Sequence, residues 1–180
     1  MSCLKRIRSE GGFTLLELVS VVAIAAVLAG LAMLIARPLI GKESGRGATY
    51  ELQTMAQLAR MEAVARNNEC RLLLCPDLRE VRVIDTRGTT SDPSDDEVLH
   101  GTVLPDSVSF ERPDAGSAVG WDSIGGSPEW FQVRFTSDGT VAAGEGDVVV
   151  HGGDRYGKVA VFTSGASQVT TWSASGWKAF

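Results

Sequence analysis

One long apolar run dominates the N-terminal part of the chain. Residues 13–36 read FTLLELVSVVAIAAVLAGLAMLIA, and Glu17 is the only charged side chain among them. As an α-helix rising about 1.5 Å per residue, the run would extend about 36 Å and cover a hydrocarbon core of about 30 Å. The pattern therefore predicts a helix over residues 13–37 that can cross a membrane once.

Helical periodicity resumes beyond Pro38. One predicted face carries small and apolar residues at spacings of three and four: Leu52, Met55, Ala56, Ala59 and Ala63. Glu62 stands four residues before Arg66, a spacing that supports a helical ion pair. We therefore expect an amphipathic continuation of the helix over residues 38–68. The proline and the glycines that follow it (Gly41, Gly45 and Gly47) predict a loosened or kinked helix at their positions.

The pattern changes to short β-rich runs after residue 69. They are CRLLLC, EVRVID, SVSFE, WFQVRF, GDVVVH, KVAVFT and SQVTTW, separated by Gly, Pro, Asp and Ser. Phe131, Val133 and Phe135 alternate with polar residues, and the following Ser-Asp-Gly at 137–139 is a hairpin signal. Residues 69–180 are thus predicted to form an antiparallel β domain. The fold class is α+β, with the long helix packed on this sheet domain.

Two polar, Gly-rich stretches interrupt the β-rich part. They cover residues 85–100 and 111–130. Neither has enough apolar residues to bury much surface, so both are predicted to be long loops of the kind that often contact partners.

The charge of the chain argues against a nucleic-acid partner. The formal net charge is −5, and removal of residues 1–12 would leave 14 basic and 21 acidic residues, a charge of −7. The basic residues of the C-terminal half are few and spread out: Arg112, Arg134, Arg155, Lys158 and Lys178. Nucleic-acid binding requires a concentrated basic surface, which this distribution does not indicate.

Cys70 and Cys75 are candidates for a disulfide if the domain lies outside the cytoplasm. A straight strand over residues 70–75 would hold their Cα atoms about 16 Å apart, whereas a disulfide requires about 4.4–6.8 Å. Only a turn before Pro76 would allow the bridge, and the sequence leaves this open.

Glu17 decides between interpretations of the apolar run. A cleaved secretory signal, cut after Val27-Leu28-Ala29, and a simple membrane anchor both fit the hydrophobic length. A lone carboxylate in hydrocarbon costs several kcal/mol unless it is paired or protonated, and neither alternative uses one. Cleavage after Gly12 would create an ammonium at Phe13 that could neutralise Glu17 of a neighbouring subunit.

The segment GFTLLE at residues 12–17 resembles the processing site of type IV prepilins and of type II secretion pseudopilins. The resemblance implies that a prepilin peptidase cuts after Gly12 and methylates Phe13, so that residues 1–12 are a leader and Glu17 serves subunit assembly. The run LARMEAVARNN (residues 58–68) and the terminal β-rich part resemble the minor pseudopilin family called GspH or FimT.

This resemblance implies a pilin-like structural subunit of the type II secretion pseudopilus, which assists protein export across the outer membrane. Its implied partners are other pseudopilins or pilins, the prepilin peptidase, inner-membrane lipid and a secreted substrate. Basic residues in the leader place the N-terminus in the cytoplasm and residues 69–180 in the periplasm. A minor type IV pilin of pilus assembly or DNA uptake is the alternative, and a secreted enzyme or binding domain on a plain anchor is a third.

The rest of the sequence carries only weak signals of a metal-binding or catalytic site. The acidic residues Asp92, Asp95, Asp96 and Glu97 lack the EF-hand spacing, so we predict a solvated loop and no metal. His100 and His151 have no partner at ligand spacing, and no Gly-x-Ser-x-Gly motif is present, so we expect neither an enzyme nor a cofactor. The glycine-rich residues 151–157 predict a hairpin loop. Ala166, Ser167 and Gln168 follow Gly165 where DNA-binding relatives carry arginine.

Overall fold

A computed structural model describes residues 14–87, 96–173 and 176–179 of the chain. The chain divides into two compact units, Met1–Arg37 and Pro38–Phe180, and we describe each by itself. One helix, α1 (Leu15–Arg66), begins in the first unit and ends in the second. The predicted leader, residues 1–12, and Phe13 lie outside the described residues.

The second unit contains eleven described strands after the helix. In sheet A they are β1 (Cys70–Cys75), β2 (Glu80–Asp85), β3 (Glu97–Val103), β5 (Asp122–Gly125), β6 (Trp130–Phe135) and β7 (Val141–Ala143). In sheet B they are β4 (Val108–Ser109), β8 (Gly146–Gly152), β9 (Arg155–Val161), β10 (Ser167–Ser173) and β11 (Gly176–Ala179).

Both sheets are antiparallel throughout. Sheet A has the order β3-β2-β1-β6-β5, with β7 also pairing with β6, and sheet B has the order β11-β10-β9-β8-β4. The central strands coincide with the predicted β-rich runs, because their alternating or continuously apolar sequences suit strands that bury one face or both. The predicted α+β class is confirmed, and the antiparallel domain consists of two sheets.

The core of the second unit joins one face of α1 to the inner faces of both sheets. Leu52, Ala59 and Ala63 are fully buried, and Met55 and Ala56 are nearly so, which confirms the predicted helix face. Their neighbours in the core come from both sheets: Leu72, Leu74, Val81, Val83, Val133 and Phe135 from sheet A, and Val148, Val150, Val159 and Val161 from sheet B.

Helix α1 is assigned as one helix from Leu15 to Arg66, so Pro38 and the three glycines do not end it. The helix ends close to the predicted boundary, at Arg66. Asn67 takes a left-handed conformation with φ of 52°. Its N–H donates to Val64 O at 3.2 Å, and the N–H of Asn68 donates to Ala63 O at 3.1 Å. These two bonds form a Schellman motif that satisfies the last helical carbonyls.

Two strands occupy stretches that were predicted to be loops. β3 (Glu97–Val103) and β5 (Asp122–Gly125) are the two edge strands of sheet A, and most of their residues are exposed. An edge strand with little buried surface needs no alternating apolar pattern, and its backbone pairing with β2 or β6 is enough to form it. The loop prediction was therefore wrong for residues 97–100 and 122–125.

The predicted turn at residues 137–139 is confirmed as the connection between β6 and β7. Gly139 adopts φ of 79°, and its N–H donates to Thr136 O at 2.8 Å. The Asp138 carboxylate accepts hydrogen bonds from the Thr136 hydroxyl and from the N–H and hydroxyl of Thr140. These bonds lower the pKa of Asp138 to about 2. The loop predicted within residues 151–157 is likewise a hairpin turn, between β8 and β9.

Two helical glycines only two residues apart differ in their surroundings. A Cβ built on Gly45 would lie 2.8 Å from the Cα and 3.0 Å from the N of Gly152 in β8. A Cβ on Gly47 would meet nothing within 4 Å. The backbone of β8 thus approaches the helix at Gly45 as closely as a glycine allows.

We predict opposite effects of alanine at these two positions. Gly47→Ala should raise the free energy of unfolding by about 0.5–1 kcal/mol, because alanine favours the helix. Gly45→Ala should lower it by about 1–3 kcal/mol, because the new methyl group overlaps the Gly152 backbone. Urea unfolding of the full chain in detergent micelles, followed by tryptophan fluorescence, measures both. Equal stability of the two variants would contradict the close approach.

Candidate functional site

The first unit presents an apolar helix that the chain itself does not bury. The segment Leu15–Ala32 has a mean hydropathy of 2.5, and none of it is buried within the chain. Its large apolar side chains are exposed: Leu15, Leu16, Leu18, Val19, Val21, Val22, Ile24, Val27, Leu28 and Leu31. They cover all sides of the helix, so their burial requires a membrane or other subunits. Among the described residues it is the one helix long and apolar enough to span a bilayer.

Thr14 fixes the start of this helix. Its carbonyl accepts hydrogen bonds from the N–H groups of Glu17 at 3.1 Å and Leu18 at 3.2 Å. Its hydroxyl accepts a second bond from the Glu17 N–H at 3.2 Å. This is the geometry of a threonine N-cap, which satisfies an otherwise unpaired backbone donor. The cap uses only the backbone of Glu17, so its side chain remains available for another partner.

Three residues were predicted to act in processing and assembly, and Glu17 is the one that lies among the described residues. It lies exposed in the first turn of α1, where the positive end of the helix dipole favours a carboxylate. It is also the only charged residue between Leu15 and Ala32. The other two predicted residues, Gly12 and Phe13, lie outside the described residues. The site therefore consists of an apolar cylinder with one carboxylate near its N-terminal end.

Cys70 and Cys75 do not form the disulfide that the sequence left open. Both are buried free cysteines at opposite ends of β1, and no turn precedes Pro76 to bring them together. Their separation by five residues also places the two side chains on opposite faces of the sheet. Burial, assisted by the charge of Asp85, raises the pKa of Cys70 to about 11.

Several cations of the β domain are engaged with carboxylates. Arg112 donates to Asp147 at 2.9 and 3.2 Å and to Asp114 at 2.7 Å. The hydrogen bond to Asp147 raises the pKa of Arg112. Lys158 Nζ lies 3.7 Å from Asp147 and 4.5 Å from the centre of the Trp177 ring. These contacts reduce the positive charge that Arg112 and Lys158 offer to a phosphate.

The Trp177 indole also contributes to this cluster. Its Nε1 donates to Asp114 at 3.1 Å, and this bond, with the Arg112 contact as a smaller cause, lowers the pKa of Asp114. Sequence reasoning missed the cluster, because no local spacing relates residues 112–114 to residues 147 and 177.

The two histidines have ordinary structural contacts. His100 Nε2 lies 3.5 Å from a carboxylate oxygen of Glu62. His151 stacks on Tyr156 with ring centres 4.4 Å apart. Ser109 Oγ and Glu111 Oε2 approach the same nitrogen of His151, Nδ1, at 3.3 and 3.6 Å. A catalytic triad needs the serine and the carboxylate at opposite ring nitrogens, so this group is not one.

The predicted acidic loop is only partly described. Asp92 and Asp95 lie outside the described residues, whereas Glu97 accepts a hydrogen bond from Arg87 at 2.9 Å. Over residues 14–87, 96–173 and 176–179, no group of three or more His, Cys, Asp or Glu side chains is arranged to hold a metal ion.

Comparison with known proteins identifies first the class of protein and then the family. Residues 7–33, which include Glu17 and most of the apolar segment, match the prokaryotic N-terminal methylation motif. This match places the chain in the class of pilin-like subunits. Residues 48–166, more than half of the chain, match the family of the type II transport protein GspH. The chain belongs to the GspH family.

Two solved structures show a distant likeness. The type IV minor pilin FimU of Pseudomonas aeruginosa strain PAO1 is 16% identical, with a TM-score of 0.46 over 74% of this chain and 96% of that one. The minor pseudopilin EpsH from the type 2 secretion system of Vibrio cholerae is also 16% identical, with a TM-score of 0.43 over 72% of this chain and 94% of that one. No curated protein matches the chain. The family assignment rests on the GspH match.

The cysteine geometry leads to a direct prediction. In the folded full chain carrying Cys3→Ser, neither Cys70 nor Cys75 should react with a thiol reagent at pH 8, because both are buried and the pKa of Cys70 is raised. After denaturation without reductant, two thiols per chain should react. A count of zero thiols under those conditions would show a disulfide and contradict the straight strand.

Proposed function

We propose that this chain is a minor pseudopilin, a structural subunit of the type II secretion pseudopilus that assists protein export across the outer membrane. The observation that carries the proposal is the unburied apolar helix Leu15–Ala32 with Glu17 in its first turn, in a chain of the GspH family. Such a helix suits two successive environments, the bilayer before assembly and the filament core after it.

Processing would prepare the helix for assembly. A prepilin peptidase would cut after Gly12 and methylate Phe13, in agreement with the methylation motif over residues 7–33. The new ammonium at Phe13 would then precede Glu17 by four residues, about 6 Å along a helix. The Glu17 carboxylate of one subunit can pair with the ammonium of a neighbour, which offsets the cost of burying either charge alone.

The orientation in the membrane follows from the charges of the leader. Lys5, Arg6 and Arg8 would remain in the cytoplasm, and the β domain would extend into the periplasm. Before assembly the subunit would be a single-pass protein of the inner membrane. In this position its β domain can contact other pseudopilins and a secreted substrate, and its work is mechanical and not catalytic.

A minor type IV pilin would use the same helix and the same Glu17. Within that alternative, a role in DNA uptake is disfavoured by the charge arrangement of the β domain. Arg112 and Lys158 contact Asp147, and Arg134 lies 3.7 Å from Glu69. The mature chain would carry a formal charge of −7, which opposes the approach of a polyanion.

Mass spectrometry of the mature N-terminus tests the processing step. The chain isolated from a host with a prepilin peptidase should begin at Phe13 and carry one N-methyl group. The same chain from a host lacking the peptidase should retain the leader and begin at Met1 or Ser2. A start at Gly30, or a retained leader in the host with the peptidase, would overturn the proposal in favour of a secretory signal or a plain anchor.

Substitution of Glu17 tests the assembly step. Glu17→Gln keeps the size of the side chain and leaves the Thr14 cap in place, because the cap uses only the Glu17 backbone. We expect this variant to be cleaved normally but to lose at least tenfold in incorporation into sheared pseudopili, quantified by immunoblotting. Glu43→Gln, which changes an exposed carboxylate elsewhere on α1, is the matched control. Normal incorporation of Glu17→Gln would contradict charge pairing in assembly.

A further inference from the structure

A cavity of about 230 Å³ lies at one end of the β domain, where the β1–β2 turn meets the edge of sheet B. The inner part is apolar, with Phe110 and Phe131 half-buried against the core and Val119 buried. Two exposed carboxylates, Asp77 and Glu129, also line the cavity. The cavity therefore combines an apolar floor with an acidic rim.

Both sheets hold the walls of this cavity in place. Phe131 in β6 pairs with Leu74 in the centre of sheet A. On the other side, the Ala118 carbonyl accepts a hydrogen bond from the Val149 N–H at 2.8 Å, and Val119 forms a β-bridge with Val148. The cavity is thus pre-formed in the folded domain, as small binding sites usually are.

The acidic rim retains hydrogen-bonding capacity within the part of the chain that the structure describes. Glu129 accepts one bond, from the Ser123 hydroxyl at 2.6 Å, whereas a carboxylate can accept about four. Asp77 has no hydrogen bond or ion pair to a described residue, and no described cation lines the cavity. Arg79, the cation within the β1–β2 turn, pairs instead with Asp106 at 2.5 Å.

The shape and the charge of the cavity favour one type of occupant. An uncharged apolar side chain would gain nothing from the two carboxylates, and a small hydrated cation would gain nothing from the two phenylalanines. An arginine satisfies both parts, because its apolar stem and planar guanidinium pack on aromatic rings while its N–H groups bind carboxylates. We propose that the cavity is a docking site for an arginine side chain presented by a partner protein.

The domain charge supports such a partner. A mature chain with a formal charge of −7 attracts basic protein surfaces over a distance, and complementary charge at the cavity would then select the contact. Docking at the cavity uses only the second unit of the chain. Docking is therefore independent of Glu17 and of processing at Gly12. The arginine-docking proposal can be wrong while the proposed function is right, and the proposed function can be wrong while arginine docking is right.

A peptide titration tests this inference on the full chain in a non-ionic detergent. The probe is the tripeptide acetyl-Gly-Arg-Gly-amide, and its neutral counterpart carries citrulline, which has nearly the same shape. Saturation-transfer NMR should show contact of the arginine methylenes with the protein, and chemical-shift titration should give a millimolar or tighter dissociation constant. The citrulline peptide should bind about five- to tenfold more weakly, as expected for the loss of two partly exposed ion pairs.

The double variant Asp77→Asn/Glu129→Gln should weaken binding of the arginine peptide by the same factor. The matched control, Glu43→Gln/Asp122→Asn, removes the same two kinds of charge from exposed positions that do not line the cavity, and it should bind like the unchanged chain. If both double variants bind the arginine peptide equally weakly, the weakening is caused by the change in net charge and not by the cavity, and the proposal is overturned. Equal binding of the citrulline peptide, or no binding of either peptide at millimolar concentration, would also overturn it.

Discussion

The close approach of α1 to the two sheets is the contact on which the second unit depends. Ala48, Ala59 and Ala63 are buried on the helix face, and Gly45 faces Gly152 with no space for a methyl group. Small residues at these positions allow the backbones to approach, and the dense contacts that result stabilise the domain through many weak attractions. A Cβ on Gly157 of β9 would overlap the buried side chain of Thr49, so a small residue is favoured on the sheet side as well.

The apolar helix of the first unit, unlike the core of the second, is not buried by the chain. It carries large apolar residues on every side, and none of the segment Leu15–Ala32 is buried by the chain itself. A surface of this kind is unfavourable in water, so the isolated subunit requires lipid or neighbouring subunits. In the proposed function, the single carboxylate of Glu17 would make these two environments unequal, because a processed neighbour would supply a compensating ammonium that hydrocarbon cannot.

Charge has a second role in the β domain. The paired cations, such as Arg112 between Asp114 and Asp147, tie distant segments together, and the carboxylates offset their positive charge. The lining carboxylates Asp77 and Glu129 are not neutralised by any described cation, and they border an apolar cavity. The charges of the domain are thus divided between internal ion pairs and an acidic rim beside an apolar cavity.

The amino-acid sequence by itself determined the apolar helix, the buried face of its continuation and the central strands, because each has a local hydrophobic pattern that matches the period of its element. Only the tertiary structure decided that β3 and β5 are strands, since edge strands form through backbone pairing and need no apolar pattern. It also decided the state of Cys70 and Cys75, because β1 is straight across both. The cavity beside Phe110 and Phe131 likewise had no local signal, since its lining residues come from separate segments that meet only when the two sheets pack.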